Sequence, residues 1–401
     1  MMTAPKGLRL HIGIFGRRNV GKSSVLNALV RQQVSIVSDV AGTTTDPVEK
    51  TMEFKPVGPV VFIDTAGVDD SGALGKLRIA KTMKVVDRTE LALLVADSWT
   101  DYEKELTGIF RKKKIPCVLV ANKSDLGWNA AVEKTAASGG CEFFAKVSAK
   151  NLTGFDMLRE TIIRAVPQEF MEQITPMQGL IRPEDMVVLV TPIDLEAPKG
   201  RLIVPQVQVL RDVLDHDACA LVVKENALVK ALKNLKKPPA LVVTDSQAFK
   251  QVAAIIPESI PLTSFSIIYA RFKGDLAEMA AGARTIDALA DGDKILIAEA
   301  CSHHPVEGDI GRIKLPQWLA DHTKRKLDIK VVAGRDYPDD LGSYKLVIHC
   351  GGCVFNRREL LARIEKAKQA RVPITNYGLA IAFLHGILER ALRPFGQEIK
   401  G

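Results

Sequence analysis

The sequence predicts an α/β chain with mainly parallel sheets, arranged as successive units. Strand-length apolar runs alternate with helix-patterned segments from residue 8 almost to the C-terminus, which is the rhythm of strands joined by crossover helices. At 401 residues the chain exceeds one typical core, so two or three domains are expected. Each chemically loaded motif also follows directly on a strand-like run, where open parallel sheets place their ligands.

Composition narrows the function classes. With 47% hydrophobic and 25% charged residues, the chain reads as an ordinary globular protein rather than a disordered or fibrous one. Residues 1–10 carry no apolar signal-like core, and no apolar stretch approaches the roughly 18 residues of a membrane span, so a cytoplasmic location without a membrane partner is expected. Six cysteines are too few for a disulfide framework in a chain this long, which favours a reducing compartment with buried or metal-binding thiols. The net charge of +8 is carried partly by the runs 111–114 and 230–237. Both sit at helical spacing beside apolar positions and read as solvated helix ends, and no interleaved aromatic pattern supports nucleic-acid stacking.

In the first unit, strands are expected at 11–15, 60–63, 91–96, 117–121 and 143–147. Gly16-Arg17-Arg18-Asn19-Val20-Gly21-Lys22-Ser23 follows the first strand and precedes a helix pattern beginning at Ser24, the context that a phosphate-binding P-loop requires. Gly16 and Gly21 let backbone amides curl round a β-phosphate, Lys22 reaches the β- and γ-phosphates, and Ser23 ligates Mg2+. Asp64, ahead of Thr65, Ala66 and Gly67, ends the next strand, placing a carboxylate for the magnesium shell and Gly67 to sense the γ-phosphate. Thr43 and Thr44 lie in the intervening switch segment, with Thr44 chosen as the second magnesium ligand. Asn122, Lys123 and Asp125 end another strand; the Asp125 carboxylate can accept two guanine hydrogens that adenine does not present in that pattern, so GTP is the expected nucleotide. Ser148, Ala149 and Lys150 complete the base pocket.

Through 42–46 (Gly-Thr-Thr-Thr-Asp) and the asparagine of 19–23, this unit resembles the TrmE-Era-EngA-like group of GTPases over roughly residues 8–166. The resemblance implies that Asn19 helps hold K+ against the phosphates. Val68 stands where many small GTPases have a water-orienting glutamine, so slow intrinsic hydrolysis stimulated by K+ is expected, with Lys22, Thr44, Asp64 and Gly67 as the catalytic set.

Residues 167–185 read as a linker containing Pro176 and Pro183. The middle region repeats the βα rhythm at 186–191, 220–223 and 241–244 but carries no chemical motif, which points to packing or oligomerisation. A third unit has strands at 294–300, 329–333, 345–348 and 372–375. Two of them run into soft-ligand clusters: Cys301 and His303, then His349, Cys350 and Cys353. Such thiolates suit zinc or an iron-sulfur cluster, and three of them leave one iron of a 4Fe-4S cluster open. Cys117, Cys141 and Cys219, in or just before strand runs, are expected to be buried packing residues, as are His11, His216, His322 and His385.

Cys-x-His followed by His-Cys-x-x-Cys behind a GTPase signature resembles the HydF family of FeFe-hydrogenase maturation GTPases, over the whole chain. The resemblance implies a P-loop GTPase domain (1–170) followed by two smaller α/β units, a dimerisation domain (171–262) and a 4Fe-4S cluster-binding domain (263–401). It implies Cys301, Cys350 and Cys353 as cluster ligands, with His303, His349, Glu307 and Asp309 as candidates for the fourth. It further implies a homodimeric scaffold that carries a transient di-iron subcluster, made with two radical-SAM maturases, to the FeFe-hydrogenase apoprotein. Two other readings stay open on the residues alone: an RNA-modification or ribosome-assembly GTPase with structural zinc, and a redox enzyme using Cys350 and Cys353 as a dithiol.

Overall fold

The computed structural model describes residues 5–31, 36–40, 47–65, 81–127, 137, 139, 141–172, 175–192, 202–300 and 309–399. They fall into two compact units, Met1–Gln173 and Ile174–Gly401.

The first unit is a seven-stranded sheet of order β2-β3-β4-β1-β5-β6-β7. Its strands are β1 (Leu10–Phe15), β2 (Ile36–Val40), β3 (Val48–Phe54), β4 (Gly58–Asp64), β5 (Leu91–Ala96), β6 (Cys117–Ala121) and β7 (Phe143–Lys146). β1 lies parallel between β4 and β5, and β6 and β7 extend the parallel part. Successive side chains of a strand point to opposite faces. Leu10, Ile12, Ile14, Leu93 and Val118 therefore pack on one side, against α1 (Lys22–Arg31) and α3 (Phe155–Ala165). Phe15, Ile63, Leu94 and Leu119 pack on the other, against α2 (Asp101–Lys112) and the helical stretch 81–86. Burial on both faces makes these strands read as continuous apolar runs, which is why the sequence located them.

β2 and β3 run antiparallel and were not among the expected strands. β3 reads Val-Glu-Lys-Thr-Met-Glu-Phe, and only Met52 and Phe54 are buried, so it carries no run of apolar residues. The basic run 111–114 ends α2, with Arg111 and Lys112 exposed in its last turn, where cations oppose the helix dipole favourably. Cys117 and Cys141 are buried, their sulfurs 2.8 Å apart.

The second unit holds two four-stranded sheets with every pairing parallel. One has the order β11-β10-β8-β9, from β8 (Met186–Val190), β9 (Cys219–Val223), β10 (Leu241–Thr244) and β11 (Leu262–Ser264). The other has the order β13-β12-β14-β15, from β12 (Lys294–Ala298), β13 (Asp328–Val332), β14 (Leu346–His349) and β15 (Ile374–Asn376). A single apolar core runs through both: Val188, Val242 and Phe265 belong to the same buried cluster as Leu296, Val347 and Ile374. The expected boundary at 262–263 falls inside β11. The helices α4 (Val204–Asp215), α5 (Leu228–Lys233), α6 (Phe249–Ile255), α7 (Phe265–Lys273) and α8 (Leu276–Arg284) complete this core, and α10 (Arg357–Gln369) closes it over the second sheet. On that sheet's other face, Ile295, Ile297 and Ile348 pack against α9 (Leu315–Thr323) and α11 (Tyr377–Leu384).

One cysteine departs from expectation. Cys219 is exposed rather than buried, because among the described residues β9 is an edge strand, paired with β8 alone, and the local sequence does not reveal that position. His11 is buried with its Nδ1 on the Arg9 carbonyl at 2.9 Å, and His385 packs edge-on against Trp318, as structural histidines do.

Candidate nucleotide and metal sites

The first site gathers the loops that leave the carboxyl ends of β1, β4, β5, β6 and β7. Two glycines shape the loop after β1. Gly16 has φ +147° and Gly21 φ +93°, and a Cβ on them would lie 2.2 Å from the Val95 carbonyl oxygen and 2.3 Å from Asn122 Nδ2. No side chain fits there, so the loop can close on its own backbone. Asn19 takes φ +62°, a left-handed conformation that asparagine tolerates, and is exposed beside Arg18. Val20 is buried, while Ser24 stands exposed in the first turn of α1. The buried Lys22 curls back over the loop, its ammonium donating to the Gly16 and Arg17 carbonyls at 2.9 and 2.8 Å. A cation held at the centre of a nest of backbone groups is poised for phosphate oxygens.

Ser23 Oγ donates to Asp64 Oδ2 at 2.5 Å, and Asp64 Oδ1 is buried without a hydrogen-bond partner among the described residues. Burial pushes the Asp64 carboxyl up, opposed by Ser23, Lys22 and Lys50. A hydroxyl and an orphaned buried carboxylate oxygen form a hard-oxygen pair, which fits Mg2+. Ser23 and Asp64 would hold the ion, which would neutralise phosphate charge there. Thr43, Thr44 and Gly67 lie outside the described residues.

The base pocket is tied to the phosphate loop by Asn122. Its buried amide donates to the Val20 carbonyl at 2.8 Å and accepts from the Ala149 amide at 3.1 Å. Asp125 is exposed, and the Ser148 hydroxyl donates to it at 2.6 Å. That bond, with Lys150 nearby, holds the carboxyl below its ordinary value, leaving an ionised acceptor for a purine edge. The Asn151 amide in turn donates to Ser148 Oγ at 3.2 Å, fixing the hydroxyl's direction.

Two further residues hold this site and were not expected from the motifs. Asp97, just past β5, accepts from Lys123 at 2.8 Å and from Arg17 at 3.1 Å, linking the base and phosphate loops. Burial disfavours its charge, but Lys123 and Arg17 outweigh it and hold the carboxyl below its ordinary value. Arg17 also donates to the fully buried Glu103 at 2.9 Å. The only signal for Asp97 was its place at the end of an apolar run.

The second site lies where β12, β14 and β15 end. Cys350 and Cys353 sit on the loop between β14 and α10, both half-buried. The Ala300 amide donates to Cys350 Sγ at 3.0 Å, so the chain leaving β12 meets this loop. Loss of water pushes the Cys350 thiol up to about 11, opposed by the Gly352 and Ala300 amides. The fully buried His349 has both nitrogens engaged: Nδ1 donates to the Cys350 carbonyl at 2.7 Å and Nε2 accepts from Arg363 at 3.0 Å. Burial, then the adjacent guanidinium, pulls its pKa down to about 3. His349 therefore serves as a strut of the loop, with no lone pair left for a metal in this arrangement. The buried Asp309 caps the turn at 310–314 by accepting from the Arg312 amide at 2.9 Å. Cys301, His303 and Glu307 lie outside the described residues, and among the described ones no three metal-ligating groups gather.

Around Cys350 stand residues that the sequence did not flag. The buried Glu299 accepts from Arg312 at 3.2 Å and from the Tyr377 hydroxyl at 3.5 Å. Burial, then Cys350, Glu299 and Asp309, raises the Tyr377 phenol. Two thiols on a Cys-x-x-Cys loop, with a backbone amide aimed at one sulfur, fit a soft metal centre such as an iron-sulfur cluster. Cys350 and Cys353 would hold that group, which would supply redox or ligand-exchange chemistry.

Residues 177–274 match the hydrogen maturase F dimerization domain and residues 277–394 the hydrogen maturase F tetramerization domain. Residues 11–123 match the 50S ribosome-binding GTPase family. The tRNA modification GTPase MnmE of Aquifex aeolicus is 37% identical over 165 residues, 41% of this chain and 36% of that protein. GTPase Der of Wolinella succinogenes is 37% identical over 183 residues, 43% of this chain and 38% of that protein. The chain thus spans less than two-fifths of the length of these curated relatives. The solved G domain of the T. maritima FeoB iron transporter is 22% identical, with a TM-score of 0.31, covering 40% of this chain and 99% of that one. With both hydrogen maturase F domains matched in order behind a GTPase domain, over more than half of its length, the chain belongs to the hydrogen maturase F family.

Proposed function

We propose that this chain is a GTP-hydrolysing scaffold in hydrogenase maturation that holds a 4Fe-4S cluster and carries a di-iron subcluster to the FeFe-hydrogenase apoprotein. The observation that carries the cluster reading is the 3.0 Å bond from the Ala300 amide to Cys350 Sγ. Cys301 follows Ala300 directly in sequence, and Ala300 is the residue that meets Cys350. Cys301, Cys350 and Cys353 are the proposed ligands. With His349 engaged on both nitrogens, the fourth position falls to His303, Glu307 or Asp309, or stays open for the cargo.

In the GTPase unit, Lys22 neutralises β,γ-phosphate charge, Ser23 and Thr44 hold Mg2+ with Asp64 in its shell, Gly67 meets the γ-phosphate, and Asn19 helps seat K+. Hydrolysis is slow and rises when K+ replaces Na+. Self-association runs through the first sheet of the second unit, where β9 is an open edge among the described residues and Val222, Val207 and Leu214, on β9 and α4, are exposed. The two radical-SAM maturases and the hydrogenase apoprotein are the partners.

Anaerobically purified protein is expected to be brown, with about four iron and four sulfide per chain. Its GTP turnover should be several-fold faster in KCl than in NaCl. Colourless protein with stoichiometric zinc would show a structural metal site instead, and equal turnover in the two salts would remove the cation from the mechanism.

A further inference from the structure

Lys273 is 1% exposed, and its ammonium is spent on one loop. It donates to the carbonyls of Phe355 at 2.7 Å, Cys353 at 3.1 Å and Gly352 at 3.4 Å, and lies 5.3 Å from the Tyr269 ring centre. The peptide planes on either side of Cys353 are thus pinned by a residue 80 positions earlier in the chain. In a trans peptide the N–H of the next residue points opposite to the C=O. Anchoring the Gly352 and Cys353 carbonyls on Lys273 therefore turns the Cys353 and Val354 amides away from it.

A second buried cation meets the loop through different partners. Arg363, 6% exposed, donates to His349 Nε2 and to the Gly334 carbonyl, and its guanidinium lies 4.3 Å from the Phe355 ring centre. Burying a charge is costly unless an opposite charge or a full set of acceptors meets it. Two such cations set positive charge against one loop of six residues, from Cys350 to Phe355, beside the buried carboxyl of Glu299. A pair of neutral thiols has no use for that charge, whereas a thiolate-bound metal group is anionic.

We propose that Lys273, seconded by Arg363, is a positioning residue for the Cys350–Cys353 loop and the buried counter-charge of the anionic iron-sulfur group that the loop holds. The inference rests on the cluster reading given under Proposed function. A fixed positive charge in a poorly solvated site stabilises the more negative, reduced form and so raises the reduction potential. The role is one of positioning and electrostatics, without contact to the reacting metal.

The test compares the anaerobically reconstituted full chain with Lys273→Met and Lys273→Gln. Iron and sulfide are counted, the apo proteins are melted, and the reduced fraction is followed by paramagnetic resonance in a redox titration. Lys273→Gln keeps amide hydrogens for the carbonyls and removes the charge, so it serves if Lys273→Met does not fold. The expected result is wild-type iron in Lys273→Gln, with an oxidised-to-reduced ratio at fixed solution potential about tenfold higher than in wild type. Loss of iron from a variant that melts like wild type would support the positioning role. Full iron with an unchanged potential would overturn the proposal while leaving the cluster reading intact. A wild-type protein that itself takes up no iron would sink both.

Discussion

The phosphate loop and the cysteine loop both hang from the carboxyl ends of parallel strands, but different parts of the chain build them. Gly16 to Ser23 largely shape themselves, with two glycines that admit no Cβ, a lysine that bonds to its own loop and a serine at the next helix start, while Asn122 and Asp97 add ties from neighbouring strand ends. The loop from Cys350 to Phe355 is shaped from outside, by Lys273 on α7, Arg363 on α10 and the Ala300 amide past β12. A site made of consecutive residues can be read from a short motif. A site made by distant side chains shows only its ligands in the sequence, and hides what orients them.

That difference decides what was legible. The P-loop, Asp64 and the proposed base-recognition residues Asn122 and Asp125 all appear in the structure at or just past strand ends that the apolar runs had located. Asp97, Glu299, Lys273 and Arg363 were not legible, because each is an ordinary charged residue locally and acquires its role only when strands or helices far apart in sequence pack together. Cys219 misled for the same reason: whether a strand is central or at an edge depends on sheet order, which no local pattern records. β3 was missed because its polar alternation resembles a loop.

The sharpest way to break the comparison is to disable one site and watch the other. Lys22→Ala should slow GTP hydrolysis by roughly 10²–10³, as expected when a principal cation at the phosphates is removed. Iron content should not change. A parallel fall in iron, measured on the same preparation, would mean that the two sites are not separately built.

A smaller effect concerns a charge cluster in the first unit. Arg88 is 2% exposed and donates to Glu49, which also meets Lys6. Burial disfavours the Glu49 charge, but Arg88 and Lys6 outweigh it and hold the carboxyl at about 2. The folded value is depressed, so the stabilisation is complete above the ordinary glutamate value of about 4.3 and is lost as pH falls toward 2. Glu49→Gln should remove roughly 2 kcal/mol of stability from the first unit at neutral pH. It should also flatten the decline of its melting temperature between about pH 4.5 and 2. A variant whose acid limb matched that of wild type would assign the acid sensitivity to other groups.

The most direct measurement is the low-temperature paramagnetic resonance spectrum of the dithionite-reduced full chain, wild type beside Cys353→Ser, with GTP turnover measured on both. The expected result is a reduced 4Fe-4S signal in wild type that is lost or strongly diminished in Cys353→Ser, while GTP turnover stays within about twofold. A wild-type chain with no such signal and one tightly bound zinc would contradict the assignment of Cys350 and Cys353 to an iron-sulfur centre.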